Sequence, residues 1–219
     1  MKPLVYSQYK KSQRGYSLIE LSITLAIIAV VIAGAIFGVQ AILRANNVNK
    51  TIAQTNTAVN KIIAKLIRDN NYVQATTANL SRPGQEVWDP SYIIAGVPQN
   101  PFNGNVFVAP LGVAEGGLAI NEGFVYTLAD IPLSVCTDVA AGVEGLGVAL
   151  RIQNQAAGAG LARNQVINGA VGTLVKDISA AAPVNYAYNL AVDGCTGGAA
   201  AGANAANQFA NIWFLVPRR

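Results

Sequence analysis

The sequence has no histidine, only two cysteines and few charged residues for its length of 219. Without histidine, the chain lacks the commonest general base and the commonest metal ligand of proteins. It also lacks the motifs G-x-x-x-x-G-K-[ST], G-x-S-x-G, H-E-x-x-H and C-x-x-C, which serve phosphate, acyl, zinc and dithiol chemistry. These absences argue against an enzyme, and we predict no catalytic residue, no cofactor site and no metal site.

Carboxylates in the second half of the chain are scattered rather than clustered. They are Glu115, Glu122, Asp130, Asp138, Glu144, Asp177 and Asp193. Solvated surface side chains are the default expectation for each of them. Calcium binding by an acid-bearing loop is the alternative that they leave open.

Charge is also missing from a long stretch near the N-terminus. No charged residue lies between Glu20 and Arg44, and most residues there are apolar. A helix over residues 21–43 would be roughly 34 Å long, which is enough to cross a bilayer core. A carboxylate at the mouth of such a helix is costly in lipid, up to about 2.5–3.5 kcal/mol at a helix centre. We therefore expect a functional role for Glu20.

The residues before the apolar stretch carry a specific pattern. A short basic segment ends at Gly15, and the segment YSLIE at 16–20 follows. This N-terminus resembles that of type IV pilins. The resemblance implies that a prepilin peptidase cuts between Gly15 and Tyr16 and methylates the new amino terminus of Tyr16. It further implies that Glu20 acts in assembly, by attracting the terminal amine of a neighbouring subunit.

The position of the cut relative to the apolar segment supports this interpretation. An ordinary secretory signal is cleaved after its apolar segment and loses it. Here the processing signal precedes the apolar segment, so the mature protein keeps its hydrophobic helix. The alternative is an uncleaved signal anchor in which Gly15 and Glu20 occur by chance.

The formal net charge of +4 lies in the expected leader. Its basic residues are Lys2, Lys10, Lys11 and Arg14. Removing these four from the fifteen basic residues leaves eleven, which balance the eleven acidic ones. By the positive-inside rule the leader stays in the cytoplasm. The mature chain has no electrostatic footprint for nucleic acid, so we predict no direct nucleic-acid site.

Hydrophobic patterning divides the chain into four segments. We expect a cleaved leader at 1–15, a transmembrane and filament-core helix at 16–43, an amphipathic continuation of that helix at 44–69, and a periplasmic or extracellular head at 70–219. Gly34 and Gly38 offer a small face for close helix approach and are where the helix could loosen during packing. The continuation has one apolar stripe, formed by Val48, Ile52, Val59, Ile62, Ile63 and Leu66.

The head is expected to be α+β, with an antiparallel sheet packed on the long helix. Alternating apolar residues predict strands at 123–129, 146–152, 184–192 and 212–216. Asp130 and Pro132 predict a helix over 131–143 with Asp130 as its N-cap. Residues 70–122 form a connecting region rich in turn signals. The Ala/Gly-rich stretches 155–162 and 194–206 are predicted to be loops.

The two cysteines, Cys136 and Cys195, both fall in the exported head. Oxidising compartments favour a disulfide between them. It would close a loop of about 60 residues and contribute roughly 4 kcal/mol in the chain-entropy model. Two free buried thiols are the alternative.

The long leader, the non-Phe first mature residue and the NPFNG segment at 100–104 resemble the type IVb group. The resemblance implies a major pilin that forms a helical surface filament for adhesion, aggregation, DNA transfer or motility. Its partners would be copies of itself, the peptidase, the assembly machinery and the inner membrane. The precursor would reside in the inner membrane and the product in an extracellular pilus of a Gram-negative bacterium. The alternatives are a minor pilin, a secretion-system pseudopilin, a membrane-anchored monomeric adhesin or an anchored enzyme.

Overall fold

A computed structural model of the chain describes residues 16–67, 72–112, 114, 117–156, 172–178, 183–197 and 207–218. The predicted leader lies outside the described residues, and so do Glu115, residues 157–162 and residues 198–206 of the two Ala/Gly-rich stretches. The chain divides into two compact units, Met1–Leu43 and Arg44–Arg219.

Helix α1 (Leu18–Leu66) begins in the first unit. Between residues 18 and 43 every residue is exposed, and Gly34 and Gly38 are helical. Among the described residues, α1 is the one helix that is long and apolar enough to cross a membrane, with a mean hydropathy of 2.6 over its most apolar window. Whether the two glycines let it loosen during packing stays a prediction.

The part of α1 in the second unit buries one face. Of the predicted stripe, Val48, Val59, Ile62 and Leu66 are buried, while Ile52 and Ile63 pack partly buried against the same core. Thr51, Thr55 and Ala58 widen this face. Threonine is tolerated because its hydroxyl finds a partner; that of Thr51 donates to the carbonyl of Asn47 at 2.8 Å. The helix ends at Leu66, earlier than the predicted residue 69.

The second unit is built on a five-stranded antiparallel sheet with the order β3-β4-β7-β5-β6. A two-stranded hairpin, β1 (Ile93–Ile94) and β2 (Val97–Pro98), precedes it. The sheet strands are β3 (Val106–Pro110), β4 (Gly123–Pro132), β5 (Ala149–Ala156), β6 (Thr173–Asp177) and β7 (Asn207–Pro217). The helices are α2 (Thr77–Leu80), α3 (Leu133–Val143) and α4 (Tyr188–Thr196), and Pro90–Tyr92 and Glu144–Leu146 are 3₁₀ turns.

Alternating side chains give the sheet two buried faces. One face packs in the main core with the helices, where Tyr126 stacks on Phe214 with ring centroids 5.4 Å apart. The other face forms a second cluster around Phe107, Trp213 and Leu215. The predicted α+β class with an antiparallel sheet is confirmed. The predicted strands at 123–129, 146–152 and 212–216 correspond to β4, β5 and β7 with shifted or extended ends.

Asp130 does not cap a helix, which corrects the prediction. It lies in a β-bulge of β4 with φ of 53°, and its N–H donates to Oδ1 of Asn211 at 3.1 Å. The extra residue lets Leu128 and Ile131, an odd number of positions apart, both point into the core. Aspartate tolerates this left-handed conformation better than most residues. Helix α3 begins only after Pro132, without a side-chain cap.

The strand predicted at 184–192 is also wrong. Val184 makes one isolated bridge with Asp177, and the following residues form α4. The buried residues Ala191, Gly194 and Cys195 have the spacing of one helix face. Burial of this face determines the conformation of the segment, although its valine and tyrosine favour strands. Gly197 ends the helix with φ of 92°, and its N–H bonds to the carbonyl of Asp193. The stretch predicted as a loop from residue 194 therefore starts inside a helix.

Two strands of the sheet escaped prediction. Strand β3 lies within the region predicted to be connecting, and β6 lies in a stretch with no assignment. Both are edge strands, and edge strands are short and weakly patterned.

A disulfide joins Cys136 of α3 to Cys195 of α4, as predicted. Both sulfurs belong to buried residues, and the bonded residues are 59 positions apart. The disulfide ties α3 to α4 and closes a loop of the chain that contains β5 and β6.

The free edge of β3 is occupied by a single side chain. The Thr77 hydroxyl accepts the Val108 N–H at 2.7 Å and donates to the Val108 carbonyl at 3.1 Å. Thr77→Val keeps the volume but leaves both backbone groups without this partner, so we expect a loss of about 1–3 kcal/mol in unfolding free energy. Unpaired edge groups should also promote self-association. Thermal unfolding and light scattering test this, with Thr77→Ser as the matched control; equal behaviour of the valine and serine variants would contradict it.

Candidate assembly and processing site

Glu20 lies in the first turn of α1, two residues after the helix begins at Leu18. The chain enters the helix through Tyr16, which is 84% exposed, and Ser17, whose carbonyl accepts the Leu21 N–H at 3.1 Å. A carboxylate at this end is favoured by the helix dipole, by about 0.3–1 kcal/mol. Gly15, the residue before the predicted cut, lies outside the described residues.

Two hydroxyl groups near Glu20 are satisfied within the helix itself. The Ser22 hydroxyl donates to the Ile19 carbonyl and the Thr24 hydroxyl to the Leu21 carbonyl, both at 2.8 Å. Such bonds allow hydroxyl side chains to enter an apolar medium at low cost. The Glu20 carboxylate, in contrast, has no hydrogen bond or salt bridge within the part of the chain that the structure describes. It is therefore open to a cation from another molecule.

Residues 18–43 present a continuous apolar surface. Every large apolar side chain among them is exposed, and Phe37 reaches 73%. Soluble monomers rarely expose an apolar patch larger than a few hundred Å². This surface therefore requires lipid or other helices around it.

No close contact with the described residues explains why positions 34 and 38 are glycine. A Cβ added at either position would meet nothing within 4 Å. Glycine in a helix interior costs about 1 kcal/mol relative to alanine. Close approach of another helix at these two positions stays a prediction.

The described acids of the second unit lie at several separate places. Glu122 accepts the Ala119 N–H at 2.9 Å, and Glu144 lies 3.6 Å from the Lys176 ammonium. Asp138 and Asp193 are exposed on α3 and α4. Within the described residues, no group of three or more Cys, Asp or Glu side chains is arranged to hold a metal ion.

A buried asparagine organises the NPFNG segment, and sequence analysis missed its role. Asn100 is 2% exposed. Its side-chain amide donates to the Ala129 carbonyl at 2.8 Å, and its Oδ1 accepts the N–H groups of Phe102 and Gly104 at 2.9 and 3.2 Å. The Asn-Pro and Asn-Gly pairs signalled a turn, but nothing local indicated that the turn would be fastened to β4.

A tyrosine in the main core is held in its neutral form. Burial raises the pKa of Tyr126 well above its usual range, although hydrogen bonds with Trp88 and Thr55 oppose the shift. Its hydroxyl accepts the Trp88 indole N–H at 3.2 Å. This bond fixes Trp88 beside α1, where Trp88 lines a hollow together with Gln54 and Lys61.

Comparison with known proteins identifies the N-terminus. The model of the prokaryotic N-terminal methylation motif matches residues 10–36, which include Gly15, Tyr16 and Glu20. The class of protein defined here thus has a methylation-type N-terminus, an apolar N-terminal helix and an α+β unit. The matched residues include those from which the resemblance to type IV pilins was predicted.

Two solved structures are similar to the chain. The type IV b pilin from Salmonella typhi has 17% sequence identity and a TM-score of 0.45, with 77% of this chain and 99% of that chain covered. TcpA, a type IV pilin from the Vibrio cholerae El Tor biotype, has 17% identity and a TM-score of 0.48, with 78% and 98% covered. None of the curated proteins compared matches the chain.

Proposed function

We propose that the chain is a structural subunit of a type IV pilus, a type IVb-like major pilin that polymerises into a helical surface filament. The observation that carries this proposal is the methylation motif, next to an exposed apolar helix and to a Glu20 that has no partner among the described residues. Other copies of the same chain would supply both a cation for this acid and a cover for the apolar surface.

Processing creates the partner for Glu20. The precursor resides in the inner membrane, with residues 1–15 in the cytoplasm and residues 70–219 on the other side. Hydrolysis of the Gly15–Tyr16 bond by prepilin peptidase consumes one water and leaves an amine on Tyr16. Methylation of that amine retains its positive charge. The mature N-terminus is then a cation at the start of an apolar helix.

Assembly pairs that amine with Glu20 of a neighbouring subunit. Two opposite charges 4 Å apart attract by about 4 kcal/mol at an effective dielectric constant of 20. This attraction offsets the cost of taking both groups out of water, and it sets the axial stagger between subunits. Residues 16–43 of the subunits then bundle and exchange lipid contacts for protein contacts. The Arg44–Arg219 units form the outer shell of an extracellular fibre on a Gram-negative cell.

The direct test is electron microscopy of sheared surface fibres combined with N-terminal sequencing of their subunit. We expect abundant fibres whose subunit begins at methylated Tyr16. A low-abundance component of fibres made from another subunit would indicate a minor pilin instead. Periplasmic retention would indicate a pseudopilin, and a cleaved protein that stays monomeric in detergent would indicate an anchored adhesin.

Gly15 tests the processing step. Gly15→Val places a branched side chain at the scissile bond, so we expect the leader to remain attached and the fibres to be lost. Mass spectrometry of the membrane fraction would show the uncut precursor. Ser12→Val, three residues upstream in the leader, is the matched control and should be cut normally. A Gly15→Val protein that begins at Tyr16 would contradict the proposed cleavage.

A further inference from the structure

The exposed flank of α1 in the second unit is basic. From Arg44 onward the helix contains four basic residues and no acidic one. At 100° per residue, Lys50, Lys61 and Lys65 lie within an arc of about 60°. This flank faces the segment 86–103, and two hollows lie between the two.

Each hollow is lined by one lysine, and the two hollows differ in whether other residues offset the charge of that lysine. In the larger hollow, of about 580 Å³, the Lys61 ammonium donates to the Glu86 carbonyl at 2.6 Å, and Asp89 also lines the wall. The smaller hollow, of about 230 Å³, is lined by Lys50 and by uncharged residues that include Asn47, Tyr92, Gln99 and Asn103. We call it the Lys50 hollow. Among its lining residues, Lys50 alone is charged, so the hollow is suited to an acid.

The opposite flank of α1 carries α3. Ile52 lies about 200° around the helix from Lys50. A Cβ added to Gly142 of α3 would collide with the Ile52 side chain, so α3 packs against α1 at close range there. The basic and α3-bearing flanks of α1 therefore face in opposite directions.

The α3 side of the unit is acidic. Asp138 is the single charged residue of α3 and Asp193 that of α4, and both are exposed. Neither forms a salt bridge within the described residues, whereas nearby Glu144 is engaged by Lys176. Ser134 and Ala141, on the same outer face of α3, are small and exposed. Burial is the larger cause that raises the pKa of Tyr186, and Glu144 and Asp138 both lie close enough to raise it further.

We propose that the occupant of the Lys50 hollow is α3 of a second copy of this chain, with Asp138 paired to Lys50. The two surfaces are exposed and opposite in charge, and they lie on opposite sides of α1. Such surfaces cannot close on each other in a two-fold dimer; they join subunits head to tail, as an open helical filament requires. The inference rests on the proposed pilin function and identifies a contact between the outer units of that filament.

Charge reversal tests the pairing in cells that produce the full chain. A single exposed ion pair is weak, but a filament repeats it at every subunit. Charge reversal should therefore weaken every contact between neighbouring subunits of the fibre. We expect Lys50→Glu to lower the yield of sheared fibres by about tenfold or more, with cleavage after Gly15 unchanged. The double variant Lys50→Glu, Asp138→Lys should return the yield to within about threefold of the parent protein.

Two matched variants make the test specific. Lys65→Glu applies the same charge change to the same flank outside the residues lining both hollows, and it should assemble like the parent. Lys50→Glu combined with Asp193→Lys should not recover. Rescue by Asp193→Lys in place of Asp138→Lys would overturn the pairing, as would normal fibres from Lys50→Glu. If Lys50→Glu fails to fold, Asp138→Lys alone provides the test, because it sets two cations against each other.

The same experiments separate this inference from the function on which it rests. A parent chain that forms no fibres, or fibres that do not need Glu20, would count against the pilin function. Parent fibres that need Glu20 but ignore Lys50 and Asp138 would overturn the docking contact and leave the function in place. Fibre yield measured at rising salt adds a second readout, because exposed charge pairs are screened.

Discussion

Replacing Glu20 with alanine is expected to lower the yield of sheared filaments by about 10²–10³-fold, while the precursor is still made and cut after Gly15. Removing one partner of a desolvated ion pair costs about 3–5 kcal/mol, because the other charge is left unpaired. Each 1.4 kcal/mol corresponds to a factor of ten in an equilibrium constant. The lost carboxylate would strand the amine of a neighbouring Tyr16 inside the helical core.

Conservative variants separate charge from shape at this position. Glu20→Gln keeps the size of the side chain but not its charge, so it should fail almost as completely as alanine. Ser22→Ala, two residues further along the helix, is the matched control. The Ser22 hydroxyl donates to the Ile19 carbonyl of the same helix, so its loss removes no contact with another subunit. This variant should assemble normally. Normal fibres from Glu20→Ala with Tyr16 as their first residue would refute the proposed role of the acid.

The N-terminal features could be predicted because each depends on residues close together in the chain. An uncharged stretch, one acid and a glycine before it are sufficient to indicate a methylation-type N-terminus and an apolar helix. The return of charge at Arg44 coincides with the division into units at Leu43 and Arg44. Strands β4 and β7 were predictable because their alternating residues form the centre of the sheet, where burial is strongest.

The errors arise where distant residues decide the local conformation. Asp130 has a side chain that is common at helix N-caps, but the pairing of β4 with β7 places its backbone in a bulge. Asn211 stabilises this bulge by accepting the Asp130 N–H. Residues 188–196 contain strand-favouring side chains, yet the disulfide and the core contacts of Ala191 favour α4. Edge strand β3 depends on Thr77, about thirty residues away, to satisfy its outer backbone groups.

The proposed sites show the same division. The cysteine pair was predictable from residue type and position. Glu20 could be singled out as the one acid before an uncharged stretch, and its role in assembly stays a prediction. The Lys50 hollow was not predictable, because α1 supplies one wall and residues 91–103 supply the other. That second wall owes its shape to Asn100, which fastens the NPFNG segment to the bulged end of β4. The integrity of the hollow therefore depends on a turn that lies outside α1.

Gly104→Ala should break that turn. A Cβ at position 104 would collide with the Ala129 carbonyl oxygen and come within 2.8 Å of the Asn100 amide nitrogen. Neither can move freely, because Ala129 belongs to β4 and Asn100 is held by three side-chain hydrogen bonds. We expect a loss of about 3–5 kcal/mol in unfolding free energy, since buried polar groups are left unsatisfied. For a unit of this size the melting temperature should fall by roughly 10 °C.

Tryptophan fluorescence of the full chain in detergent measures this change, because Trp88 and Trp213 both lie in the Arg44–Arg219 unit. Gly145→Ala is the matched control, since a Cβ there meets nothing within 4 Å. It should melt within a few degrees of the parent protein. Equal melting of the two alanine variants would mean that the segment 100–104 can shift without cost. In that case the wall of the Lys50 hollow would be adaptable, and its fit to Asp138 would depend on charge alone.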